Sequence, residues 1–221
     1  MSNFQIKLIA LITMTIDHIG YILIPATSVY YEPLRTIGRL SFILFAFLIT
    51  EGLSKTKNQN RYMATLFAFA FVMDIPRLFF DLQYFPNVFY TLGMGALAVY
   101  LIKHFDNVIL QIVSVLAMMY FATALNVDYG AFGIMVIVVI EVAKMITNDI
   151  KILREVVMAS GYFLLMTLFE QPSIQMFGIY SFLIIMLYNG QRGFYHPKLK
   201  YLIYVYYPLH LVVLYGISLV L

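Results

Sequence analysis

The sequence predicts an all-α membrane bundle of about nine transmembrane helices, with its N-terminus inside and its C-terminus outside. Three observations lead there. Hydrophobic residues make up 62% of the 221 and charged residues only 11%, against roughly 25% charged in a soluble domain. Mean hydropathy is +0.88. The apolar residues fall in nearly unbroken runs of about 17–22, each enough to cross about 30 Å of hydrocarbon at about 1.5 Å per helical residue.

The predicted spans are 4–25, 36–54, 62–80, 88–104, 108–126, 131–148, 152–169, 173–190 and 200–220. The breaks carry turn and loop residues: Pro25, the Lys55–Arg61 stretch, Pro86-Asn87, Asp106-Asn107, Asn148-Asp149, Pro172 and the Asn189–Lys200 stretch. No linker, low-complexity segment or repeat divides the chain, so 1–221 reads as one transmembrane domain. The first run is too long for a signal-peptide core and contains Asp17 and His18, so it reads as a retained helix.

Orientation follows from the basic residues. With the N-terminus inside, only Arg35, Arg39 and Arg77 of the 14 Lys and Arg fall outside, and 14 less 3 leaves 11 inside. This makes the chain a multi-pass membrane protein with a cytoplasmic N-terminus, an external C-terminus and an odd number of spans. The formal charge of +3 is explained by that topology and gives no sign of a nucleic-acid partner. Cysteine is absent, which excludes disulfides and thiolate chemistry. Four scattered histidines, at 18, 104, 196 and 210, do not suggest a metal site.

An ionisable group inside a span costs about 2.5–3.5 kcal/mol on insertion scales unless it is paired or faces a polar cavity. Asp17, His18, Arg39, Asp74, Arg77 and His210 are such groups. Segment counting puts the first five in the outer half of their spans and His210 near mid-depth. Helices one, two, three and nine would then bring charge to a similar level. Lys7 and His18 are eleven residues apart, three turns plus about 20°, so they share a helix face about 16 Å apart. That suits a ligand with an anionic head and a long reactive arm. It also suits a snorkelling lysine and a satisfied core histidine.

Adjacent helical residues point about 100° apart, so Asp17 is not expected to touch His18. A partner from another helix, such as Asp74 or Glu32, is as plausible. Arg35 and Arg39, at i and i+4, suit an anion site or acidic partners, and equally an arginine pair on lipid. Asp74 and Arg77 suit mutual neutralisation. Glu51 and Glu141, near inner span ends, are expected within reach of water. In the last span Pro208 removes a helix hydrogen bond and is expected to free the Tyr204 carbonyl. With Tyr207 and His210 this makes a polar spot in an apolar helix, or an aromatic packing face around a kink.

Taken in order, these residues resemble the TraX family over nearly the whole chain. The likeness rests on Lys7 through Asp17-His18-Ile19-Gly20, Leu34 through Gly38-Arg39-Leu40-Ser41-Phe42, and Phe45 through Glu51-Gly52. It continues in Asp74-Ile75-Pro76, Asn87 through Gly93, Asp128-Tyr129-Gly130 and Tyr188-Asn189-Gly190, and ends in Lys200 through Pro208-Leu209-His210-Leu211. Ile43 stands where the family often has Pro, and Asp74 where it often has Glu. The resemblance implies acetylation of a pilin-like acceptor.

The spacing of Lys7 and His18 is also similar to that of multi-span membrane acyltransferases that draw acyl-CoA from the cytoplasm. That likeness implies acetyl-CoA or another acyl-CoA as co-substrate, with Lys7 and Arg39 binding it and no metal. Catalysis would fall to His18 with Asp17, Arg39 and His210, and acceptor binding to Arg35, Asp74, Arg77 and Tyr207. The expected partners are the lipid bilayer and a membrane-inserted or secreted peptide, glycan or lipid acceptor. Two other readings stand beside it: a small proton-coupled transporter, since buried Asp, His and Arg also make relays, and a non-catalytic pilus or peptide assembly module.

Overall fold

Helix signals at the chain's own breaks set the architecture. Ser2 and Gln5 form a reciprocal capping box at the start of α1 (Asn3–Leu23). Asn107 caps α5 (Val108–Ala124) through its side-chain oxygen, 2.8 Å from the Ile109 amide. Asn126 and Tyr129 take left-handed backbone, with φ of 48° and 61°, and turn the chain sharply into α6 (Gly130–Ile146).

The computed structural model describes residues 1–79, 87–147, 150–194 and 196–220, with the side chains of 76–79 and 197–201 outside the description. The remaining helices are α2 (Tyr31–Lys55), α3 (Gln59–Phe79), α4 (Val88–His104), α7 (Lys151–Leu168), α8 (Ser181–Met186) and α9 (Pro197–Ser218). No strand occurs among the described residues. Predicted spans one to seven and nine each correspond to one helix. Span 173–190 differs: a 3₁₀ helix, Ser173–Tyr180, runs into the six-residue α8. Ser173, Gly178 and Ser181 are poor α-formers, and the Ser181 hydroxyl donates to the Leu40 carbonyl of α2 at 3.0 Å.

Two compact units are present. The first comprises 1–48 and 166–221, so both ends of the chain build it. Here α1 packs along α9. The amides of Asn3 and Phe4 donate to the carbonyls of Gln191 and Arg192 at 2.9 and 3.2 Å, and the Asn189 amide to the Met1 carbonyl at 2.9 Å. The start of α1 and the loop after α8 therefore share one end of this unit.

The second unit is 49–165, centred on α4, which packs against α3, α5 and α6. Close packing is made possible by glycine: a Cβ at Gly93 would press on the Phe67 ring at 3.1 Å, and one at Gly95 would overlap Ile137. The C-terminal ends of α2, α4 and α6 meet in a buried charge network. Lys144 Nζ bridges Glu51 at 3.0 Å and Glu141 at 3.2 Å. Lys55 pairs with Glu51 at 2.9 Å and Lys103 with Glu141 at 2.5 Å. Glu141 is 2% exposed and Glu51 8%, so these carboxylates are buried and paired, contrary to the expectation that water reaches them. The lysines that bury them come from helices far apart in sequence.

The exterior is apolar. Along α5, Val108, Ile109, Ile112, Leu116 and Tyr120 are all more than half exposed. By length and composition α1 and α2 can each cross a membrane, and α4, α5, 173–186 and 202–218 are shorter apolar helices. Such a surface suits lipid rather than water.

Removing one member of a buried ion pair costs about 3–5 kcal/mol. Lys144→Met, which strips both glutamates of their shared cation, is expected to lower the thermal midpoint of the detergent-purified protein sharply. Lys55→Met, at the exposed end of the network, should change it little.

Candidate functional site

Asp17 and His18 of α1 lie between α2 and α9 in the first unit, and these two neighbours face different helices. Asp17 turns to α2. Its carboxylate accepts from Arg39 Nη2 at 2.6 Å and from Arg35 Nη1 at 2.9 Å. Arg39 Nε donates to the Arg35 carbonyl at 3.1 Å, and the Arg35 guanidinium lies 4.9 Å over the Tyr21 ring. Two guanidinium groups thus clamp one carboxylate. Asp17 is 8% exposed and Arg39 7%, and charge-assisted bonds of this kind are what permit such burial.

The clamp needs a close helix crossing. A Cβ on Gly38 would overlap the Asp17 side chain, and one on Gly20 would stand 2.8 Å from Leu34 Cβ. Glycine at both places lets α1 and α2 approach until the carboxylate reaches the arginines.

His18 turns instead to α9. Its Nδ1 is 2.7 Å from His210 Nε2, and the two rings stack with centroids 5.0 Å apart. Tyr207 meets both rings edge-on, at 6.1 and 5.5 Å. His210 Nδ1 is 3.0 Å from the Tyr206 carbonyl, the Tyr206 ring stacks on His210 at 5.2 Å, and the Tyr206 phenol is 2.7 Å from Thr15 Oγ1 of α1. His18, Tyr207 and His210 are buried. This is a pair of imidazoles in mutual hydrogen bond, sealed by aromatic rings.

The six sequence-predicted residues Asp17, His18, Arg35, Arg39, Tyr207 and His210 therefore belong to one unit, in two adjoining clusters. Lys7 lies on the same continuous helix as His18, half-buried, eleven residues nearer its start. The partner of His18 is His210, not Asp74 or Glu32, because α1 packs along α9. Glu32 is exposed at the start of α2. Asp74 lies in the second unit, where Asn87 Nδ2 donates to it at 3.0 Å and the Tyr90 phenol at 2.8 Å. The side chain of Arg77 is outside the described residues. The two arginines hold Asp17, so the acidic partner foreseen for them lies within the chain. α9 runs unbroken through Pro208, and the carbonyl bonded to the His210 ring is that of Tyr206. Sequence reasoning missed Thr15 and Gly38 and did not single out Tyr206. Their spacing carried a signal: Thr15 is one turn from His18, Tyr206 one turn from His210, and Gly38 adjoins Arg39.

Gly38→Ala forces a methyl into the Asp17 side chain, and overpacking of this kind costs about 1–3 kcal/mol. A lowered melting temperature is expected. Ala at Gly216, where a Cβ meets nothing within 4 Å, should leave it near wild type.

Comparison with known proteins places the chain. No solved structure matches it. It is 27% identical to the probable fimbrial assembly protein FimC, serogroup H1, of Dichelobacter nodosus, over 96% of this chain and 94% of that protein. The family described as TraX protein matches residues 2–218, nearly the full length, and the chain belongs to that family.

Proposed function

We propose that this chain is a membrane acyltransferase. It moves an acyl group, acetyl in the first instance, from cytoplasmic acyl-CoA to an amine or hydroxyl of a membrane-associated or exported acceptor. The observation that carries the reading is the buried His18–His210 contact of 2.7 Å beside the Asp17 clamp. A hydrogen-bonded imidazole buried among aromatic rings is suited to general base catalysis. His18 takes the proton from the acceptor nucleophile as it attacks the thioester carbonyl. The new C–N or C–O bond forms, the C–S bond breaks, and the thiolate leaves with the proton. Arg39, fixed in direction by Asp17, supplies positive field for the developing oxyanion.

At the other end of α1, the amides of Asn3 and Phe4 are filled by loop carbonyls, so recognition of CoA phosphates falls to side chains, with Lys7 first among them. Arg35 and Tyr207, both in the first unit, belong to acceptor recognition. The likeness to a fimbrial assembly protein favours a pilus or fimbrial subunit as acceptor. It also favours a second reading, a non-catalytic assembly module.

The proposed topology has nine crossings, a cytoplasmic N-terminus and an external C-terminus in the bacterial cytoplasmic membrane. Its alternation of ends is supported by the pairing of the α1 start with the loop after α8, and by the common end shared by α2, α4 and α6, and its sidedness rests on the distribution of Lys and Arg. Each of these juxtapositions joins ends separated by an even number of crossings.

Purified protein given labelled acetyl-CoA and candidate acceptors should release label from CoA, and His18→Ala should lower kcat by about 10²–10⁴. Binding without turnover, equal in both proteins, supports the assembly module instead. Because the chain has no cysteine, single-cysteine variants report topology cleanly. Cysteine at Asn58 should react with a membrane-impermeant maleimide only in inverted vesicles, and cysteine at Ser28 only in intact cells.

A further inference from the structure

The hydrogen bonds around the histidine pair have a direction, and it is set by a group that can only accept. The Tyr206 carbonyl, 3.0 Å from His210 Nδ1, has no proton to give, so Nδ1 of His210 carries the hydrogen. In a neutral ring the other nitrogen is then bare, and His210 Nε2 is an acceptor. The atom facing it at 2.7 Å is His18 Nδ1, which must be the donor. His18 is then protonated on Nδ1 and carries its lone pair on Nε2. Two imidazolium rings would set donor against donor across that contact, so the pair holds at most one extra proton.

From this chain of bonds we infer that His210 is a positioning residue. Through the Tyr206 carbonyl it fixes His18 as the Nδ1–H tautomer and so makes Nε2 of His18 the basic nitrogen of the site. Tyr206 is held in place at three points. Its phenol is bonded to Thr15 of α1 at 2.7 Å, its ring lies on His210 at an interplanar angle of 9°, and its carbonyl takes the His210 proton. The last helix thus reads its register off α1 and returns it to His18. The remaining groups facing the pair leave this direction unchanged. Tyr207 meets both rings edge-on, and Asp17, the neighbouring carboxylate, is engaged by Arg35 and Arg39.

The same direction gives the pair a place for the proton it abstracts. This step rests on the acyltransferase reading, with an acyl thioester as donor. As the acceptor's N–H or O–H bond breaks, its proton goes to His18 Nε2 and the Nδ1 proton of His18 passes to His210 Nε2. His210 becomes the imidazolium, still donating to the Tyr206 carbonyl. When the thiolate leaves, it takes a proton back from His18 and the Nδ1 proton returns. No net charge is left behind.

The tautomer is measurable without substrate. With ¹⁵N-histidine labelling in detergent and only four histidines in the chain, ring-nitrogen chemical shifts separate protonated from bare nitrogens. In the wild type, His18 should show a protonated Nδ1 and an unprotonated Nε2. His210→Phe should exchange the two signals by removing the acceptor, and His210→Gln, whose amide oxygen still accepts, should restore the wild-type pattern in part. Under turnover, His210→Phe should lower kcat by about 10²–10⁴ with KM for acyl-CoA little changed, and His210→Gln should recover part of that loss. A protonated Nε2 on His18 in the wild type overturns the inference outright, as does an unchanged tautomer in well-folded His210→Phe protein. The expected tautomer in a protein that never turns over acyl-CoA upholds the positioning role and removes the acyltransferase reading alone.

Discussion

Buried charge must be matched in this fold, and the matching dictates which helices touch. An apolar bundle offers an ionised side chain no water to fall back on, so each carboxylate and guanidinium needs its partner at hydrogen-bond distance. The Asp17 clamp fulfils that demand between α1 and α2, at 2.6 and 2.9 Å. The alternation of Lys55, Glu51, Lys144, Glu141 and Lys103 fulfils it among α2, α4 and α6. Apolar packing cannot specify a bundle this finely, because one leucine face fits another in many registers. Ion pairs fit in one.

Glycine is the steric counterpart of that rule. The clamp exists only because Gly38 carries no side chain where Asp17 lies, and the second unit is packed through Gly93 and Gly95 in the same manner. Small residues at helix crossings are how membrane bundles bring backbones together. Here the close approach also delivers chemistry, since the residue after Gly38 is one of the two arginines that hold Asp17.

Most of the frame was legible in the sequence, because helix length, caps and breaks are local. The start and end of seven of the nine expected spans fall within a few residues of the helices. Burial of Asp17, His18, Arg39 and His210 was legible for the same reason, since it follows from segment position, whereas Asp74 is only half-buried and buried Glu155 gave no signal. Partnership was not. That Asp17 and His18 diverge follows from the 100° step, but that His18 meets His210 depends on α1 lying along α9, which no local pattern encodes. Glu51 and Glu141 misled for a related reason. Depth along a span suggested water, whereas lysines from other helices close over them. The eighth span lost its α-helical regularity to Ser173, Gly178 and Ser181, whose effect depends on context and on the bond from Ser181 to α2.

The two halves of the histidine pair are 192 positions apart in the chain, and the unit that holds them is assembled from its first 48 and last 56 residues. During synthesis, α1 and α2 leave the ribosome long before α9 exists. The segment 49–165 can settle while Asp17 already has both arginines but His18 still has no imidazole to meet. The contact between the two imidazoles is therefore made only after 49–165 and the rest of its own unit have been synthesised.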